Sequence, residues 1–196
     1  MFICALKKSI IPRSSSTLQQ STNQLKARRN PMVVQHELFR IHTEARPSFI
    51  DVTGQVKEIV SKSGVKEGIV VVFSQHTTCS VIIQEDSLDT TYNGVKYIHQ
   101  DLLDILDKII PQCKKEGQYL HPGPKCVEHS TKVIGETPAD TLNTDAHLRS
   151  SLMGRSETIP ITKSEVMLGE HGHLYFIDFD GTRPRERIVR VQILGE

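Results

Sequence analysis

Apolar and polar positions alternate in blocks that predict a chain of short strands broken by a few helices. Val33 to Ile41 reads as a first strand that ends near Arg46-Pro47. Val56, Ile59 and Val60 recur at helical spacing behind Thr53, a residue type suited to a helix N-cap, and Ser63-Gly64 stops that helix. Gly68 opens the β-branched run Ile69 to Phe73, the pattern of a buried strand, and Ser80 to Gln84 follows as the next one. Leu88, Val95, Ile98, Leu102, Ile105, Leu106 and Ile109 lie along one stripe near a 3.6 period, predicting a long helix over 86–110 that Pro111 ends. Residues 112–143 carry no such pattern and read as a long connection, of the kind that is usually functional or mobile. A short helix is expected from Asp145 to Met153, stopped by Gly154. Strands are expected at Glu157–Ile161, Glu165–Leu168, His173–Phe179 and Arg187–Leu194, with Asp180-Gly181 as a turn. Strands outnumber helices and several are joined by short turns. The pattern therefore predicts one compact α+β domain with mostly antiparallel sheets and one long helix.

Composition narrows the class. The 196 residues are 37% hydrophobic and 24% charged, ordinary for a soluble protein and enough for one core. The net charge of +1 hides an asymmetry: residues 1–36 carry six basic groups and no Asp or Glu, so the remainder is net acidic. An acidic body argues against nucleic acid as a partner. No apolar run reaches the roughly 20 residues needed to span a bilayer, so no membrane partner is expected. Residues 1–31 read either as a disordered basic tail or as a mitochondrial-type targeting segment, ahead of a folded domain over 32–196. A cytoplasmic or mitochondrial location follows. The cysteines Cys4, Cys79, Cys113 and Cys126 form no C-x-x-C pair and read as free thiols.

Candidate chemistry centres on histidines. His76 follows the buried strand, where a rigid strand end holds a side chain over a cleft. His147 falls in the first turn of the helix that Asp145 opens, where the positive helix end disfavours imidazolium and attracts anions. A neutral imidazole there accepts a proton or a metal. His129 lies in the long connection, and three imidazoles around one open position form a known catalytic zinc arrangement. The separations match no short metal motif, however. His171 and His173 are a rival pair. Cys79 reads as a small core residue more readily than as a nucleophile. Asp101 sits at the edge of the helical stripe, and Arg183, Arg185 and Arg187 alternate after the Asp180-Gly181 turn, where they suit either phosphate binding or a soluble strand edge.

Several of these segments together resemble one family. Gln75-His76-Thr77-Thr78-Cys79-Ser80 is similar to its Q-H-T-[ST]-A-[AS] segment, and Gln84-Glu85-Asp86 stands where it has N-E-N. Ala146-His147-Leu148-Arg149-Ser150-Ser151-Leu152-Met153-Gly154 resembles its [AS]-H-[ILM]-K-x-S-x-x-G, and Phe179-Asp180-Gly181-Thr182-Arg183-Pro184-Arg185 its F-D-G-P-R-x-R. These belong to the YjbQ-type proteins, also called the secondary thiamine-phosphate synthase family. The resemblance implies a small α+β fold assembled as a homotrimer, with a polar, histidine-bearing pocket able to hold a divalent metal (Zn²⁺ or Mg²⁺) or an anion. It implies an enzyme acting on a small phosphorylated metabolite, with thiamine-phosphate formation as the family label. The expected catalytic residues are His76, Asp101 and His147. Ser151, Arg183 and Arg185 are expected to bind anions, and His76, His129 and His147 to bind the metal. The alternative is a non-catalytic trimer that binds a small ligand or metal. One departure stands out: where the family has G-T-W-Q-G, this chain has Gly169-Glu170-His171-Gly172-His173.

Overall fold

The computed structural model describes residues 31–196. Apart from Pro31, the expected tail or targeting segment over 1–31 falls outside these residues. Eight strands form two antiparallel sheets. They are β1 (Val33–Thr43), β2 (Ser48–Asp51), β3 (Glu67–Ser74), β4 (Cys79–Glu85), β5 (Ser156–Thr162), β6 (Glu165–Val166), β7 (Gly172–Asp178) and β8 (Arg185–Gly195). The larger sheet runs β1-β8-β3-β5-β6, and the smaller runs β2-β7-β4. Alternation sets which side chains meet. Val70 and Val72 of β3 and Val189, Val191 and Ile193 of β8 point inward, onto Val81, Leu174 and Phe176 of the small sheet. Helix α1 (Thr53–Ser63) adds Val56 and Val60 to that core. The small sheet is covered on its other side as well. There Tyr175 and Ile177, with neighbouring Phe179, pack against Leu102, Leu103 and Leu106 of α2 (Tyr97–Ile109) and Ala146 of α4 (Thr144–Met153). Every residue from Leu174 to Ile177 is therefore buried, which is why that stretch reads as an uninterrupted apolar run.

The α+β architecture with mostly antiparallel sheets is as expected, but several local readings change. The long helix starts at Tyr97 rather than Asp86. Residues 86–96 instead form a loop closed by a Thr90–Lys96 bridge, with Gly94 at φ 78°, a left-handed conformation that favours glycine. Leu88, assigned to the apolar stripe, is exposed. Asp86 caps no helix; its carboxylate accepts from the Tyr175 hydroxyl (2.8 Å) and pairs with Lys96. Thr53 is the first helical residue of α1 rather than its cap. Its Oγ1 accepts the Leu174 N–H at 2.8 Å, while Asp51 Oδ1 accepts the Thr53 N–H, also at 2.8 Å. The connection over 112–143 is partly helical: it holds α3 (Pro124–His129), which continues as a π-helical turn over Ser130–Ile134, and a 3₁₀ turn at Pro138–Thr141. Among the described residues no helix is long and apolar enough to cross a membrane.

Candidate functional site

Two crossings between the sheets lie side by side and build the site. Chain passes from β3 to β4 through Gln75–Thr78, and from β7 to β8 through 179–184. They are stitched together where Cys79 pairs with Asp178 and the Phe179 N–H donates to the Thr78 carbonyl (3.1 Å). Helix α4 is anchored on the same junction, since Ser150 Oγ donates to the Cys79 carbonyl at 2.7 Å. His76, the start of β8 and the first turn of α4 are thereby brought to one end of the molecule.

A buried ion pair holds that end together. Arg187 makes two bonds to Asp178, Nε to Oδ2 at 2.7 Å and Nη2 to Oδ1 at 3.0 Å, and a third to Thr78 Oγ1 at 3.2 Å. Asp178 also accepts from Thr43 Oγ1 (2.8 Å) and from the Asp180 N–H (3.1 Å). Burial opposes the Arg187 charge, but the bonds to Asp178 hold the guanidinium ionised.

His76 is half-buried in the crossing, and its Nε2 accepts the Ile188 N–H at 2.9 Å. Burial, reinforced by the nearby Arg187 charge, pushes its pKa down against the pull of Asp178. A neutral ring that accepts at Nε2 carries its proton on Nδ1, so the free nitrogen is a donor and not a metal ligand. His147 lies in the first turn of α4, also with a lowered pKa: burial is the main cause and His121 adds to it, while the Thr77 backbone and Asp180 favour the charged form. The His121 and His147 rings meet edge-on with centroids 5.6 Å apart. Together with His129, Asn143, Glu136 and Asp140 they line a cavity of about 360 Å³ between the 121–141 segment and α4.

The expected residues thus divide. His129 and His147 border the cavity; His76 stands outside its lining, and His121 takes the third histidine position. Among the described residues no group of three His, Cys, Asp or Glu side chains is arranged to hold a metal ion. With His76 committed to the Ile188 N–H, the set His76, His129 and His147 does not fit one shared ion. Asp101 is exposed, because the buried face of α2 carries His99, Leu102, Leu103 and Leu106 instead, and it does not border the cavity. Ser151 Oγ donates to the His147 carbonyl one turn back at 2.9 Å, so its hydroxyl is spent within α4. Arg183 pairs with Glu136 and lies 3.6 Å from Asp140, while Arg185 pairs with Asp180 at 2.8 Å and approaches Glu136 at 3.4 Å. Cys79 is wholly buried and its thiol is pushed far up by burial and Asp178, which removes it as a nucleophile. His173 Nδ1 meets Asp51 Oδ2 at 2.8 Å, away from the cavity, so it adds no ligand there. Gly172 answers the departure noted at 169–173. A Cβ on it would sit 2.0 Å from the Leu168 carbonyl oxygen, so this turn has no room for the glutamine usual at that position. His121 had one sequence signal, a histidine within the unpatterned connection; its partner could not be read without the fold.

Known proteins share this arrangement of chain. A UPF0047 protein of Methanocaldococcus jannaschii is 31% identical over 158 residues, covering 81% of this chain and 93% of its own. Among solved structures, an uncharacterised conserved protein of the YjbQ/UPF0047 family from Clostridium acetobutylicum matches with a TM-score of 0.60 at 31% identity, over 80% of this chain and 98% of its own. A hypothetical protein from Aeropyrum pernix matches with a TM-score of 0.62 at 26% identity, over 83% and 99%. The matching family model, described as UPF0047 protein YjbQ-like, takes in residues 37–196, both sheets and both inter-sheet crossings included, and the chain belongs to that family.

Proposed function

We propose that the protein is a small-metabolite enzyme that handles a phosphorylated substrate in the cavity between the 121–141 segment and α4, with thiamine-phosphate formation as the first reaction to test. One observation carries this reading: a half-buried imidazole kept neutral, His147, faces a cavity with His121, and Glu136 in the wall of that cavity is paired with Arg183. A neutral imidazole takes a proton near neutral pH and returns it later in the cycle. His121 faces it edge-on and disfavours its charged form, which helps keep His147 available as a base. Arg183 and Arg185 are the groups suited to a phosphoryl oxygen. His76 is a positioning residue: through Ile188 it ties the β3–β4 crossing to the strand that carries Arg185 and Arg187.

The test is turnover. Purified full chain, supplied with Mg²⁺, a hydroxymethylpyrimidine diphosphate and a thiazole phosphate, is assayed for thiamine phosphate. Formation that His147→Ala lowers by about 100-fold or more, a typical acid–base contribution, supports the reading. No formation, together with normal function of the His147→Ala variant in cells, removes it.

The second reading is a non-catalytic protein that binds a small ligand in the same cavity, and zero turnover with measurable ligand binding would select it. A homotrimer is proposed for either case. The outer face of the large sheet leaves Val34, Leu38 and Ile69 exposed, a surface suited to association. Light scattering should then return three times the 22.1 kDa chain mass.

A further inference from the structure

The arginines beside the histidine cavity already have an occupant. Glu136 Oε1 accepts from Arg183 and also lies 3.4 Å from Nη1 of Arg185, so one carboxylate bridges both guanidinium groups. The Glu136 side chain is only 14% exposed and forms part of the cavity wall. Asp140 adds a second carboxylate 3.6 Å from Arg183, held in place by a capping box in which its side chain accepts the Thr137 N–H. Asp180 takes the remaining Nη of Arg185, whose buried Nε has no partner. Two cations thus face three carboxylates. A phosphate offers the same oxygens to the same donors as a carboxylate does, so the two cannot share the pair. The competing carboxylates Glu136 and Asp140 both belong to the connection that also carries His121 and His129, whereas Arg183 lies in the crossing just before the last strand and Arg185 is that strand's first residue.

We propose that Glu136 is an internal competitor for the anion subsite: it occupies Arg183 and Arg185 in the free protein, and the phosphoryl group of a ligand binds by displacing it. This rests on reading the cleft as a site for phosphorylated metabolites and adds how that site is gated. Displacement uncouples the 130–141 segment from β8. The histidine cavity, whose wall that segment forms, is then reshaped whenever an anion arrives. Apparent affinity for the anion falls by the fraction of time that Glu136 leaves the arginines, so weakening Glu136 must strengthen anion binding.

The test titrates inorganic phosphate and pyrophosphate into the full chain by calorimetry, with Glu136→Gln and Glu136→Asp as variants. Gln keeps the shape and loses the charge; Asp keeps the charge and loses reach. Glu136→Gln should bind phosphate at least 10-fold more tightly than the wild type, with Glu136→Asp between the two. Hydrogen exchange across 130–141 should rise when phosphate is added to the wild type and be raised from the outset in Glu136→Gln. A Glu136 that merely braces the fold would lower the melting temperature of Glu136→Gln with no gain in phosphate affinity, and that result overturns the proposal. Equal, measurable affinity in all three proteins also overturns it, while leaving the anion site itself standing. Loss of all phosphate binding alongside retained turnover of the thiamine precursors overturns the gating and moves the anion site elsewhere without touching the enzymatic reading.

Discussion

Replacing Asp178 with Asn tests whether the buried ion pair holds the site end of the molecule together. Asp178 is completely buried, and Arg187 is 6% exposed. The carboxylate collects donors from Arg187 twice, from Thr43, from the Asp180 N–H and from the Cys79 thiol at 3.4 Å. Asn is the same shape but has one acceptor oxygen. Whichever way it is turned, its amide N–H₂ must face one guanidinium N–H together with either the Thr43 hydroxyl or the Asp180 N–H. The substitution removes the bidentate partner of a buried guanidinium and leaves it only the Asp180 carboxylate as counter-charge, 3.8 Å away. Breaking a buried pair from one side costs about 3–5 kcal/mol. At roughly 2–4 °C per kcal/mol for a chain of this size, the melting temperature should fall on the order of 10 °C. Urea unfolding gives the sharper measurement, since a changed midpoint at unchanged slope isolates stability. The control is Arg187→Met with Asp178→Asn. With no guanidinium present, the Asn amide no longer meets a buried cation, and a double-mutant cycle should report coupling of about 2 kcal/mol or more. A loss below about 1 kcal/mol in Asp178→Asn, or a double mutant whose loss equals the sum of the singles, would refute the argument that this pair organises the junction.

Acid sensitivity should come from buried neutral histidines. Burial and the charge of Lys96 lower the pKa of His99 to about 4, and those of His76 and His147 are also lowered. Each group binds protons more readily unfolded than folded. Stability should then be level above the unfolded value of about 6.5 and fall as the pH drops from there toward 4. His99→Phe, which keeps the stack on Phe49 (centroids 4.3 Å apart), should flatten that decline in urea midpoints measured against pH; an unchanged slope would count against the assignment. Thiol labelling of native protein followed by peptide mapping should modify the exposed Cys126 quickly. Cys79 and Cys113, both buried, should react only in denaturant, and rapid native labelling of Cys79 would contradict its burial. Gly172→Gln should lower stability by about 2 kcal/mol or more, because its Cβ meets backbone and not a flexible side chain. A neutral result in thermal unfolding would show that the 168–172 turn adapts.

How far the sequence could be read depended on whether a feature was local. The β-branched run at 69–73 and the apolar positions over 187–194 became β3 and β8 because bulky β-branched side chains fit the pleated surface of a strand. Helix α4 ends at Gly154 as expected. The false start of α2 at Asp86 came from treating Leu88 and Val95 as members of one stripe. A helical period cannot report that the left-handed Gly94 interrupts it. Strand β2 was missed because four residues between two turns carry too few positions to show a period.

The site was less legible for a different reason. His76 and His147 were found from their segments, and both come to the junction of the two crossings. What each does depends on partners distant in sequence. His76 spends its Nε2 on Ile188, 112 residues on, and no pattern around residue 76 encodes that acceptor role. Arg183 and Arg185 looked like free anion binders because alternating arginines after a turn are indistinguishable in sequence from paired ones. Their carboxylate, Glu136, lies 47 and 49 residues away in a stretch with no periodicity to place it. Charge near a site is therefore a property of the fold. Here the long connection folds back so that its acids meet Arg183 and Arg185 at the entry to the final strand and its His121 meets His147. The segment with the weakest sequence pattern thus supplies most of the cavity wall and the groups that govern what enters it.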